Sequence, residues 1–405
     1  MLICTGKLGA ALAAVLLSLT GVQHATAADS QTTGSALTVS AQNSAAQART
    51  SIQKAAAFLI KVQQPDGAFV PSQAPVGMDA LVLRSLVSAP GIDASGPAIK
   101  KGYEKLLSFQ LESGGIYKDS LANYNTAIAI SALAAADKPE YRPAIDKAVA
   151  YLKGLQWTDA IAGPKGEKID PNSAWYGGWG YGGMSRGAGR PDLSNVQMTL
   201  DALHDSGLKS DDPAYQAALK FISRLQNSSE TNDQPWAGDD GGFIYGPSAN
   251  GKGESFAGEY TDANGKRMLR SYGSMTYAGL KSMIYAGLTK DDPRVKAAWI
   301  WIRNNWTLDE NPGIKASDPA NAQYGLYYYY YTLARAMRVY GEPIITDAQG
   351  VRHDWRVELV VKLASLQRED GSWAGDKRWM EDNPVLTTSY ALSALSDSVA
   401  SLESK

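Results

Sequence analysis

One short pattern returns along this chain, and it constrains the fold more than any other feature. Each copy has an apolar or aromatic residue, a Gln a few positions on, a turn of Asp/Gly character, Gly near an aromatic, and then a stretch rich in Ala, Leu, Ser and Thr. The first and last copies are near duplicates: Phe58-Leu59, Gln63, Pro65-Asp66-Gly67 and Phe69, against Leu363, Gln367, Asp370-Gly371 and Trp373. Between them stand Leu106-Leu107, Gln110, Gly114-Gly115 and Tyr117; then Tyr151-Leu152, Gln156 and, after an insertion, Gly177-Gly178-Trp179; then Phe221, Gln226 and, after another insertion, Gly241-Gly242-Phe243. A degenerate copy runs from Trp299 to Trp306, with Asn305 in place of Gln and Asn311-Pro312-Gly313 as its turn, which brings the total to six. The second stretch of each unit carries apolar residues at helical spacing, as in Ile130, Leu133 and Ala134. A helical hairpin of this size cannot bury both its faces alone, so neighbouring units must stack.

These residues resemble the QW repeats of squalene and hopene cyclases and of protein prenyltransferase β subunits, in which the Gln caps and the Trp stacks at the turn from outer to inner helix. The resemblance covers about Ser51 to Ser396. It implies an all-α fold, an α/α toroid or (α/α)6 barrel of six helix-hairpin repeats, occupying residues 51–400. Closure is physically sensible, because a ring leaves no terminal repeat that needs a polar cap. The near identity of the first and last copies fits two units that meet at the seam. The repeated Gln, Gly and aromatic residues themselves read as turn and packing devices.

Ahead of the repeats, Lys7 precedes an apolar run from Leu8 to Val22 that ends in Ala25-Thr26-Ala27, the pattern of a cleaved signal peptide over residues 1–27. Export to the periplasm, the cell surface or the medium is the expectation, with a mature chain starting near Ala28 and no stable membrane insertion. Residues 28–50, mostly Ser, Thr, Ala and Gln, read as a flexible linker. With 39 Lys and Arg against 41 Asp and Glu, the chain offers no basic stripe for nucleic acid.

The resemblance supplies chemical precedents to look for. The Asp-x-Asp-Asp acid motif of class II terpene cyclases is absent; Asp79, in Val76-Gly77-Met78-Asp79-Ala80, stands alone at a similar place in its repeat. Asp211-Asp212 and Asp291-Asp292 each precede Pro and read as helix caps. The sequence following Ala27 has no Cys and carries only His204 and His353, so no zinc set of the prenyltransferase kind is present, and the thioester segment of complement-type toroids is missing. Gly183-Met184-Ser185-Arg186-Gly187 matches a nucleophile elbow only as a string, because that device belongs to a strand-turn-helix. No cofactor motif is found.

Two clusters remain as candidates for the mouth of a funnel. The first is Trp175, Tyr176, Trp179 and Tyr181, followed by Arg186, Arg190, Asp192 and Asn195; the second is Asp309 and Glu310 leading to Tyr324 and the tyrosine run 327–331, with Tyr324, Tyr327 and Tyr331 on the expected cavity face. Asp79 and Asp192 are the candidate acids. The reading that follows is a toroid that binds a small molecule, lipid or peptide at its mouth. The alternative, implied by the resemblance, is a terpenoid cyclase-like or prenyltransferase-like enzyme acting on an isoprenoid or lipid.

Overall fold

A computed structural model of the chain describes residues 28–159, 169–182, 189–248 and 250–404, with side chains from residue 41 onward. Contacts separate Met1–Ser40 from a second unit, Ala41–Lys405. The expected signal peptide lies outside the described residues.

Helices dominate: α1 (Ala28–Lys61), α2 (Val76–Val87), α3 (Pro97–Leu107), α4 (Ala122–Ala135), α5 (Arg142–Gly154), α6 (Leu193–Asp205), α7 (Pro213–Ser223), α8 (Gly273–Tyr285), α9 (Pro293–Asn304), α10 (Leu326–Tyr340), α11 (Trp355–Leu366) and α12 (Pro384–Glu403). Each even-numbered helix packs on the next even-numbered one, and α12 packs back on α2, which closes an inner ring. The odd-numbered helices lie outside; α3 packs on α2, α5 on α4 and α6, α7 on α6 and α8, α9 on α8, and α11 on α12. Burial follows this division. Every residue of α2 except Val87 is buried, whereas α3 buries only Ile99, Gly102, Tyr103 and Leu106. The described strands form three two-stranded antiparallel hairpins in the connections, Gly246–Pro247 with Gly253–Glu254, Glu259–Thr261 with Arg267–Leu269, and Ile344–Thr346 with Arg352–Asp354.

The repeat residues are the joints of the ring. Gln63 Nε2 donates to Gly67 O of its own turn at 3.0 Å and to Ala98 O in the next outer helix at 2.8 Å. Gln110, Gln156 and Gln226 do the same, each reaching its own turn and the first turn of the following outer helix, through Ala144 O, Ala214 O and Arg294 O. The last copy closes the circle, because Gln367 Nε2 donates to Gly371 O and to Ser51 O in α1, both at 3.0 Å. Asn305, a methylene shorter, reaches only Trp301 O of its own helix. Gly371 sits at φ +89°, and a Cβ there would lie 2.4 Å from Lys54 O, so both backbone angle and space demand Gly.

Two expectations are corrected. The linker over 28–50 is helical, and Ser44, Ala48 and Ile52 are buried one turn apart. Alanine favours helix and packs closely, so a segment poor in large apolar residues still has a buried stripe. In the second repeat the buried place after the double Gly belongs to Ile116, fully enclosed, while Tyr117 stacks on Tyr151 at 6.0 Å.

Candidate functional site

The N-termini of the six inner helices gather at one end of the ring, around a cavity of about 240 Å³. The third residue of five of these helices lines it: Met78, Tyr124, Met275, Tyr328 and Leu386. The connections add Tyr181, Tyr245, Phe256, Trp379 and Glu381. The wall is therefore apolar and aromatic, interrupted by phenol and serine hydroxyls and one carboxyl.

Gathered N-termini present unbonded N–H groups and partial positive charge, which must be answered. Asn125 Oδ1 accepts Gly77 N–H of α2 at 2.9 Å, and Asn311 Oδ1 accepts Ser274 N–H of α8 at 3.0 Å. Asp192 caps α6, its two oxygens taking the backbone and side-chain N–H of Asn195 at 2.9 and 2.8 Å. Glu381 caps α10 from a distant connection; its oxygens accept Tyr328 N–H at 2.8 Å and Tyr327 N–H at 3.2 Å. Burial pushes Glu381 up to about 7 against the pull of the N–H groups of Tyr328, Tyr327 and Leu326. Burial likewise raises Asp192 to about 7, opposed by Asn195 and by the Tyr245 hydroxyl.

Asp79, the other candidate acid, is not among the residues that line the cavity. Its Oδ1 accepts Phe69 N–H at 2.6 Å and Val70 N–H at 3.3 Å, and burial raises it to about 6. Threonine hydroxyls hold the corresponding N–H in other repeats, Thr126 for Ile116, Thr276 for Phe243 and Thr388 for Trp373. Asp79 is thus one member of a series of turn-binding residues.

Below the cavity, in the C-terminal halves of the inner helices, lies a buried ionic cluster. Lys281 Nζ donates to Asp201 Oδ2 and Gln197 Oε1, both at 2.6 Å, with Lys281 fully enclosed. Arg84 donates to Tyr331 at 2.5 Å and to Asp205 at 3.1 Å, and Arg335 reaches Asp205 at 2.8 Å. Burial works to raise Asp205, yet Arg84, His204 and Arg335 hold it well below the usual carboxylate range.

Among the described residues expected at a funnel mouth, only Tyr181 lines the cavity. Trp179 is fully enclosed and donates to Leu152 O at 2.7 Å as a repeat tryptophan. Trp175 packs edge-on against Trp157 at 5.9 Å, and Tyr176 lies under Lys220 Nζ at 5.6 Å. Asn195 is buried in the α6 cap, Arg190 is exposed, and Arg186 lies outside the described residues, as does the elbow-like string. Asp309 pairs with Lys362 at 2.7 Å and Glu310 with Lys315 at 2.8 Å, neither on the cavity wall. Tyr324 meets the edge of Trp379 at 6.2 Å, Tyr327 is buried beside Gly375, and Tyr331 points to Arg84. The tyrosine that enters the cavity is Tyr328, because α10 begins at Leu326 rather than at Tyr324 and is flanked by α8 and α12, which leave a narrow open sector. The signal for Tyr328, Tyr124 and Met275 was the shared register of the third helical residue; for Glu381, a cap 53 residues from Tyr328 in sequence, there was none. Among the described residues no group of His, Cys, Asp and Glu could hold a metal ion, and no helix is long and apolar enough to cross a membrane.

A closed ring of alternating inner and outer helices around an aromatic cavity is the architecture of terpenoid cyclases. No protein-family model matches the chain, and no curated protein matches it. Solved structures do, and those of the type II terpene cyclase MstE from Scytonema are among them. A substituted form in complex with geranylgeranyl dihydroxybenzoate, its substrate, superposes with a TM-score of 0.53 at 15% identity over 89% of this chain and 99% of that one. A form in complex with the product merosterolic acid A gives 0.54 at 15% identity over the same shares. The apo enzyme gives 0.52 at 15% identity over 88% and 99%. The chain therefore has the α/α-toroid fold of type II terpene cyclases, and at this identity the likeness is one of fold.

Proposed function

We propose that this protein is an exported binding toroid that holds an uncharged, largely apolar small molecule in the cavity at the N-terminal end of its inner ring. The observation that carries the reading is the wall itself: about 240 Å³ of space faced by methionine, leucine and aromatic rings. Space on that scale suits a compact apolar ligand. The carboxyls nearby are engaged as caps, and their oxygens accept hydrogen bonds from N–H groups of α6 and α10. Trp379 on the wall gives a direct readout. Titration with C10 to C20 isoprenoid alcohols and ketones should quench its fluorescence, and Leu386→Trp, which fills the cavity, should abolish the quenching while the protein stays folded. Absence of binding to any such ligand by the native protein would overturn the proposal. Export is tested by the mass of the protein recovered from the producing cell, which should begin near Ala28.

A second reading is catalytic, in line with the isoprenoid-bearing substrate of MstE. It is favoured by Glu381, a carboxyl on the wall held near pKa 7 among aromatic rings that would stabilise a cation. Incubation with polyprenyl substrates between pH 5 and 8 would then yield cyclised products by mass spectrometry, and Glu381→Gln would remove them.

A further inference from the structure

The wall carries one hydroxyl pair whose hydrogen-bond direction is decided by a buried lysine. Lys281 Nζ lies 2.6 Å from Gln197 Oε1 and from Asp201 Oδ2, and an ammonium only donates. Gln197 must therefore turn its NH2 away from Lys281, and its Nε2 donates to Tyr328 Oη at 3.0 Å. The phenol oxygen, already accepting, lies 3.1 Å from Ser194 Oγ. Tyr328 and Ser194 own two hydroxyl protons between them, and one lies on the line that joins them. Both residues line the cavity, and among the described residues no other acceptor takes the second proton. Whichever hydroxyl bridges, the other has a proton to give to whatever fills the space. Among the described residues that line the wall there is no lysine or arginine, while Glu381 stands on it with Tyr328 N–H bonded to one of its oxygens. A ligand carboxylate or phosphate would meet that carboxyl, and the cation nearby, Arg378, lies over the Trp379 ring at 5.6 Å and is not itself among the described lining residues.

From this we infer that the cavity recognises an uncharged carbonyl oxygen, a ketone or ester on an apolar chain, through the proton presented by the Ser194–Tyr328 pair. The inference rests on the binding reading above and narrows its ligand class. A neutral acceptor gains this bond without a donor of its own to satisfy, and the Lys281–Gln197 link keeps the pair from rotating into an acceptor-only arrangement. A hydrocarbon of the same shape would leave the proton unpaired in a dry site.

The test compares geranylacetone with the hydrocarbon in which two hydrogens replace its carbonyl oxygen, using titration calorimetry on the full mature chain. The native protein should bind the ketone roughly tenfold more tightly than the hydrocarbon, the value of one buried hydrogen bond. Ser194→Ala with Tyr328→Phe should bring the two affinities together by weakening the ketone alone. Equal affinities in the native protein would overturn this inference and leave the binding reading standing. A preference that survives the double substitution would also overturn it, because the donor would lie elsewhere. If neither compound binds, this inference falls, and the binding reading falls with it when the other isoprenoid alcohols and ketones fail to bind as well. The native comparison needs no variant, so poor folding of the double substitution would not shield the claim.

Discussion

The two ends of the inner ring solve opposite problems with the same helices. At the N-terminal end a cavity of about 240 Å³ stays open, and buried carboxyls serve as caps, with Asp192 on α6 and Glu381 on α10. In the C-terminal halves, long charged side chains reach inward and pair, with Lys281 on Asp201 and Arg84 and Arg335 on Asp205. One end keeps a space open and the other closes a floor. The difference teaches that buried charge here is not by itself a mark of chemistry, since the most enclosed ion pair lies beneath the cavity and acts on it only through Gln197.

The comparison breaks most sharply at the floor. Lys281→Met leaves Asp201 buried without its cation and should cost about 3–5 kcal/mol in denaturant unfolding, whereas Lys281→Met with Asp201→Leu should recover most of the loss. If the single and double substitutions are equally harmful, the floor depends on packing and not on charge pairing. Next comes the seam between the last repeat and α1. Gly371→Ala adds a Cβ at a φ of +89° and 2.4 Å from Lys54 O, and it should lower stability by about 2–4 kcal/mol. Gly341→Ala, with positive φ but open space around it, should cost less, which separates ring closure from backbone strain.

Acid response separates the two ends by sign. Asp192 and Glu381 are raised to about 7 in the folded protein, so their contribution is complete below the unfolded carboxyl values near 4 and is lost as pH rises through about 7. Asp205 is lowered, so its contribution is present above pH 4 and is lost on acidification. Unfolding free energy followed from pH 4 to 8 should therefore carry a declining component that Glu381→Gln flattens and Asp205→Asn does not. The smallest effect belongs to the exposed Arg190: Arg190→Ala should change neither stability nor ligand affinity by calorimetry, and a loss of binding would restore the mouth as a recognition surface.

Much of the ring was legible because its joints are local. Gln63, Gly67 and Phe69 lie within one turn of chain, and each repeat restates the same arrangement, so a single sequence carries its own confirmation. The candidate site was legible in part. Tyrosine as a lining residue was open to reading, whereas Asp192, read as a candidate acid, has a buried capping place on α6 that its sequence position alone does not reveal. The place of Asp79 in its repeat matched a catalytic precedent, while its bond to Phe69 N–H, and the matching bonds of Thr126, Thr276 and Thr388, appear only in three dimensions. Trp175 and Trp179 looked like a lip because aromatic residues in a Gly-rich insertion give no hint of which side of a ring they cover.

What the sequence by itself determined is the repeating hairpin and its closure, since Gln, Gly and helical periodicity act over short spans and recur. What only the tertiary structure decided is which few side chains share the axis. Glu381 meets α10, Lys281 meets α6 and Tyr328 meets Ser194 because six helices converge on one line, and convergence in space leaves no trace in spacing along a chain.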